Sequence, residues 1–161
     1  MSPQIPSVAG ARRTRGSTRT KMLESAAQLL RERGAAAVTV DEVLVRSGAP
    51  RGSVYHHFPG GRAQLLREAL EYAGLEITAS IDEAAGESAA ALLRLFVQFW
   101  EHCLVDSDYQ AGCPVLAAAV GSGEDEQQLS TSAGEIFSRW RQASREAYLR
   151  EGFEAADATA L

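Results

Sequence analysis

With 161 residues, 45% of them hydrophobic, the chain is long and apolar enough to bury the core of one domain, which excludes disorder as the default reading. Its most apolar stretch, Leu92 to Leu104, is interrupted by Arg94, Gln98, Glu101 and His102, which excludes a membrane-spanning helix. The formal net charge of −5 is unevenly spread: residues 1–67 carry eleven Lys or Arg against four acids, a net of +7, and the remainder a net of −12, so one end suits a polyanionic partner and the other does not.

The first sixteen residues hold Pro3, Pro6, Arg12, Arg13 and Arg15 but no apolar h-region, so no export signal is read and the cytoplasm is the expected location. Residues 1–17, rich in Pro, Ser, Gly and Arg, read as a flexible basic arm. From Thr18, the expected N-cap, Met22, Leu23, Ala26, Ala27, Leu29 and Leu30 fall on one helical face, and Gly34 supplies a stop.

The next start signal is a capping box, Thr39-Val40-Asp41-Glu42, with Val38 and Val43 in the staple positions on either side. That helix is expected to run to about Ser47, where Gly48-Ala49-Pro50 breaks it. Pro50 then suits the first turn of a short helix over Arg51 to His57, which stops before Pro59-Gly60-Gly61. A long amphipathic helix is predicted from about Arg62, with Leu65, Leu66, Ala69, Leu70, Tyr72 and Ala73 inward and a loosening near Gly86.

Ser88 to Leu104 makes another helix, dense in large side chains. Asp106 to Cys113 is a polar connection and Pro114 to Val120 a short apolar helix. After a break at Gly121 to Gly123, the spacing of Leu129, Ala133, Ile136, Phe137, Trp140, Ala143 and Ala147 predicts a last long helix from about Glu124 to Arg150. No strand pattern of useful length and no internal repeat is present, so the expected fold class is all-α. The expected division is an arm over 1–17, a three-helix unit over 18–61 and a helical body over 62–161.

Two short helices joined by a Gly-containing turn, behind a supporting helix, form a helix-turn-helix pattern whose second helix enters the DNA major groove. Arg51, Ser53, Tyr55, His56 and His57 crowd that second helix, with Val54 and Phe58 as its core anchors. A helix this short that gives most positions to donors is poorly built for packing and well built for phosphates and base edges. The competing readings are a polar surface run or a metal pair. Adjacent helical positions point about 100° apart, so His56 and His57 do not easily converge on one ion.

The run Gly48 to Phe58, Gly-x-x-x-Gly-Ser-x-Tyr-His-His-Phe, and the wider segment Thr39 to Leu70 resemble the DNA-binding region of the TetR family of transcriptional repressors. The resemblance covers Thr18 to Leu70, about a third of the chain, and "GCPVLAAAV" at Gly112 to Val120 resembles the YxaF/LmrA-like branch. It implies that Thr39 contacts phosphate, that Arg51, Gly52, Ser53, Tyr55, His56 and His57 read the groove, and that Arg62 grips the DNA backbone. The Pro59-Gly60-Gly61 link is one residue longer than the family's common version.

The resemblance also implies an inducer cavity behind the DNA-binding unit, walled here by Phe96, Phe99, Trp100, Cys103, Phe137 and Trp140. Taken singly, each of these aromatics is more often core than pocket wall. His102, Cys103 and Cys113 could suggest zinc, but three groups without a fourth at regular spacing read instead as a surface histidine and reduced, buried thiols. No catalytic motif such as Gly-x-Ser-x-Gly, a P-loop or His-Glu-x-x-His is present, so neither enzymatic activity nor a cofactor is expected. The expected partners are double-stranded operator DNA and a small apolar or aromatic inducer, with a homodimer for the intact protein. Such repressors continue into two further helices that form their dimer interface; the chain is therefore expected to be truncated at Leu161 and to dimerise weakly as written.

Overall fold

The computed structural model describes residues 17–121 and 126–160, and among them every regular element is helical. The expected basic arm, with Arg12, Arg13 and Arg15, lies outside the described residues, as does Glu124 at the expected start of the last long helix.

Helix α1 spans Thr18–Arg33 and buries the face the spacing indicated, Met22, Leu23, Ala26, Ala27, Leu29 and Leu30. Its cap is Ser17 rather than Thr18. The Ser17 Oγ accepts from the Thr20 N–H at 3.3 Å, and serine ranks above threonine at this position, so the helix starts one residue earlier. A 3-10 turn over Ala35–Ala37 leads to α2, Val40–Ser47, whose capping box is complete: Thr39 Oγ1 accepts from the Glu42 N–H at 3.3 Å and Glu42 Oε2 from the Thr39 N–H at 3.1 Å. Val38 and Val43 are buried on either side of it, as a hydrophobic staple requires. Gly48, at φ 66°, occupies the left-handed conformation that ends α2 and turns the chain toward α3.

Helix α3 covers only Ser53–His57, two residues shorter than expected. The Pro50 carbonyl accepts both the Ser53 N–H at 2.9 Å and the Ser53 hydroxyl at 2.5 Å, which closes Pro50 to Ser53 into a tight turn ahead of the helix. Val54 and Phe58 are its buried anchors.

Helix α4, Gly61–Glu87, is continuous through Gly86, where a loosening was expected; an Arg150 guanidinium bonded to the Ala85 carbonyl holds that end. Tyr72 packs against the core on the expected face but is only half-buried, its hydroxyl reaching Glu24 of α1 at 3.4 Å. Ser88 ends α4 and caps α5, Ala89–Val105, by accepting from the Ala91 N–H at 3.0 Å. Helix α6 spans Pro114–Ala119, with proline in the first turn where its missing N–H costs nothing, and α7 spans Gln127–Arg150. A four-residue α8, Asp157–Ala160, follows and was not expected.

Helix α4 ties the molecule together, packing against α1 over one part and α7 over another. Gly74 meets Ile136, Thr78 meets Trp140 and Ala85 meets Arg150, so the residue numbers rise together and α4 and α7 run parallel. A Cβ built on Gly74 would stand 2.7 Å from Ile136 Cδ1; the glycine permits the close approach. The main core is continuous from Met22 and Leu30 of α1, through Leu66 and Leu70 of α4, to Val115 of α6 and Ile136 of α7.

Phe58 is fully buried in that core, at the point where α3 meets α1 and α4. Phe58→Ala is expected to lower stability by about 3 to 5 kcal/mol, read from the midpoint of chemical denaturation; a loss below about 1 kcal/mol would contradict this placement.

Candidate nucleic-acid interface and ligand cavity

The turn and helix from Arg51 to His57 carry the side chains expected to meet DNA, and most of them face solvent. Arg51, Gly52, Tyr55 and His56 are exposed, Tyr55 at 68%, while Ser53 and His57 are half-buried. The His56 and His57 rings meet edge to face with centroids 4.9 Å apart, and His57 leans in turn on Phe58. Ser53 commits its hydroxyl proton to Pro50 and lies beside the Met22 sulfur, so it shapes the turn and is not a free donor for base edges. Thr39 is exposed at the start of α2, but its hydroxyl donates to Glu42 Oε2 at 2.9 Å. The Thr39 hydroxyl and N–H hold the Glu42 carboxyl below its ordinary range, with Arg33 adding to the effect. The carboxylate therefore persists and the box stays closed as pH falls through that range, and only acidification below it opens the box.

Most of the basic residues of the N-terminal third are bonded within the fold. Arg46 forms a two-pronged bridge to Glu32 at 2.7 and 2.8 Å, and Arg33 reaches Glu42 at 2.6 Å. Arg19 bonds Glu68 and stands over the Phe58 ring, 5.2 Å from its centroid, while Arg67 pairs with Glu71 at 3.1 Å. Arg62, expected at a phosphate, donates Nε to the Val38 carbonyl at 2.8 Å and Nη2 to the Ala35 carbonyl at 2.6 Å, closing the end of the 3-10 turn. Among the described residues of this third, the Lys21 and Arg51 side chains are left without a partner.

Glu68 also accepts from Gln64, whose Oε1 accepts the Gly60 N–H at 2.7 Å. The long Pro59-Gly60-Gly61 link is thereby tied to α4, and through Arg19 to α1. Sequence reading missed Arg19 and Arg31 as organisers. Their partners lie 49 to 81 residues away, and no local pattern signals such a pairing.

Behind this unit, α4, α5, α6 and α7 enclose a cavity of about 710 Å³, a volume that suits a small organic molecule. Phe96, Phe99, Trp100, Phe137 and Trp140 line it, as expected. Cys103 does not. It is buried behind the wall, on the side where Arg31 bonds its carbonyl, and Cys113 of the α5–α6 connection lines the cavity instead. Both thiols are free, and burial pushes both above their ordinary range.

The aromatic rings pack edge to face, Phe99 on Trp100 at 5.8 Å and Phe137 on Trp140 at 5.1 Å. The Trp140 indole N–H donates to Thr78 Oγ1 at 2.8 Å, which fixes the ring against α4. Phe96, 61% exposed, stands at the opening. The polar lining includes Glu76, Ser80 and Arg141; desolvation raises the Glu76 carboxyl above its ordinary range, against a lowering bond from Tyr72. Burial, with Glu76 and Glu24 nearby, pushes the Tyr72 phenol up to about 12.

Residues 22–69 match the family described as bacterial regulatory proteins, tetR family, and residues 89–161 match the C-terminal domain of LmrA/YxaF-like transcriptional regulators. An uncharacterized HTH-type transcriptional regulator of Mycobacterium tuberculosis is 41% identical over 139 residues, covering 83% of this chain and 71% of the relative. The HTH-type transcriptional regulator LmrA of Bacillus subtilis is 32% identical over 145 residues, covering 85% and 74%. Among solved structures, the regulatory protein TetR from Rhodobacter sphaeroides superposes with a TM-score of 0.69 at 26% identity, over 89% of this chain and 82% of that one. Reduced NemR of E. coli has the same TM-score at 17% identity, over 89% and 80%, and so shares the fold.

The two arginines near α3 differ in what they hold. Arg62→Ala removes two charged hydrogen bonds to backbone carbonyls and is expected to lower stability by about 1 to 3 kcal/mol, whereas Arg51→Ala leaves the thermal midpoint unchanged. Melting both variants beside the parent tests this, and equal midpoints for the two would contradict the assignment.

Proposed function

Because the chain belongs to the tetR family of bacterial regulatory proteins, it is a transcriptional regulator, and we propose that it is a repressor released from operator DNA by a small apolar or aromatic molecule. The observation that carries the reading is the aromatic-walled cavity set directly behind the helix-turn-helix, sharing α4 and the main core with it. A cavity of that size and lining accepts a molecule with a ring system and few charges.

At the DNA end, Arg51 is the side chain with a free fork for a base edge, and Gly52 beside it lets the backbone approach the duplex. Tyr55, His56 and His57 supply further donors to phosphates and bases. Thr39 holds a phosphate by turning its hydroxyl from Glu42, and Arg62 does so with the guanidinium nitrogen its carbonyl bonds leave over. The basic arm over 1–17 adds sequence-independent attraction. The working division is a DNA-binding unit over 18–61 and a sensing body over 62–161. A five-residue recognition helix makes too few contacts to be specific alone, so the intact protein acts as a homodimer on two half-sites about one helical turn or a small multiple apart.

DNA selected from a random pool by the purified protein provides the test. Affinity is expected to fall steeply with salt, by about 0.9 log units per contacted phosphate per log unit of salt. Arg51→Ala is expected to relax preference at one position by about 1 to 3 kcal/mol, while Thr39→Ala weakens all sequences alike. A salt-independent isotherm, or equal losses on selected and random DNA for Arg51→Ala, would sink the DNA-reading scheme.

The sensing half is tested with a panel of uncharged aromatic compounds. Trp100 and Trp140, the chain's two tryptophans, both line the cavity, so an occupant is expected to quench their fluorescence and release the selected DNA together. Quenching without release, or neither, would count against an inducer at this site.

A further inference from the structure

We propose that Arg31 is the positioning residue through which occupancy of the cavity reaches the helix-turn-helix. The inference deepens the sensing function proposed above and rests on it. Arg31 sits in the last turn of α1, half-buried, and reaches across to the connection between α5 and α6. Its Nε donates to the Gly112 carbonyl at 3.1 Å and its Nη2 to the Cys103 carbonyl at 3.3 Å, while the Gly112 N–H donates back to the Arg31 carbonyl at 2.9 Å. One guanidinium thus holds the end of α5 and the entry to α6 together against α1.

Both held points adjoin the cavity. Cys113, next to Gly112, and Leu116 of α6 line it, as do Phe99 and Trp100 in the turn of α5 before Cys103. The connection itself is strained: Asp108 and Tyr109, both non-glycine, stand consecutively in the left-handed region at φ 51° and 60°. Such a conformation persists only while its surroundings hold it, and Arg31 registers a change there because its two acceptors belong to opposite ends of the connection.

The same turn of α1 carries the outgoing contacts. Glu32 grips Arg46 of α2 with two bonds, and Arg33 bonds Glu42, the capping-box residue of α2. The three consecutive charged residues Arg31, Glu32 and Arg33 therefore face two ways, the first toward the cavity wall and the other two toward the helix that supports α3. A displacement of Gly112 and Cys103 pulls on Arg31 and rotates the turn on which α2 is held.

The test uses the full chain and anilinonaphthalene sulfonate as an aromatic probe whose fluorescence rises on entering an apolar cavity. In the parent protein, saturating probe is expected to change hydrogen exchange both around Gly112 to Leu116 and in α2, the latter about fivefold or more, the low end of allosteric couplings. Arg31→Lys keeps the charge but loses the fork; it is expected to keep the probe and the response around Gly112 while the α2 response vanishes. Glu32→Gln, at an exposed site that leaves the fold intact, is expected to lose the α2 response with the Gly112 response unchanged. An α2 response that persists in Arg31→Lys, or that is missing from the parent with the probe bound, overturns the proposal. Failure of the probe to bind at one saturable site removes the sensing function itself, and is told apart from failed transmission by the fluorescence.

Discussion

A helix of five residues has too few internal hydrogen bonds to hold itself in water, and everything built around α3 answers that constraint. Val54 and Phe58 are its only deeply buried side chains, and they enter a core already defined by Met22, Leu30, Leu66 and Leu70. Arg19, laid over Phe58 and bonded to Glu68, closes the same point from outside. With packing confined to two side chains, Arg51, Tyr55 and His56 are released to face solvent. The exposed, donor-rich surface and the buried anchors are two consequences of one short element.

The charge distribution has a second use beyond attraction to a polyanion. Arg19, Arg33, Arg46 and Arg67 pair with Glu68, Glu42, Glu32 and Glu71, and Arg62 and Arg31 end on backbone carbonyls. Exposed pairs such as Arg67 with Glu71 contribute little to stability, but forked arginines on carbonyls and carboxylates fix orientation. Three of these pairs, Arg19 with Glu68, Arg33 with Glu42 and Arg46 with Glu32, tie α1 to α4 and α2, and Arg31 ties α1 to the α5–α6 connection. Lys21 and Arg51 are the cations of this third, among the described residues, that remain for a partner.

Helix α4 makes the two halves one body. It supplies Leu65, Leu66, Ala69 and Leu70 to the core under the helix-turn-helix, then Gly74 and Thr78 to the contact with α7, then Ala84 and Ala85 to the smaller core with Leu92 and Ala147. The cavity opens along this helix because α5 presents aromatic rings at its middle while α4 presents small and medium side chains such as Ala73, Ser80 and Ile81.

By itself the sequence determined the features that depend on near neighbours in the chain. The helix faces of α1 and α4, the Thr39 to Glu42 capping box with its valine staple, the turn at Gly48 and the resemblance carried by Gly48 to Phe58 were all legible, because caps, turns and helical periodicity involve residues within four or so positions. Local competition decided only small shifts, Ser17 for Thr18 as a cap and Ser53 for Arg51 as the start of α3. The aromatic walls were legible as a group, since dense apolar spacing on α5 and α7 signals burial of some kind. Tertiary structure alone decided which of them face a void and that Cys113, not Cys103, joins them. It alone decided that Arg62 is held by the carbonyls of Ala35 and Val38, and that Arg31 bridges to Gly112 and Cys103. The void depends on how whole helices pack, and for the two arginines a long, flexible, charged side chain takes whichever acceptor the packed helices bring within its reach; in both cases the partners lie tens of residues away in sequence, where periodicity carries no information.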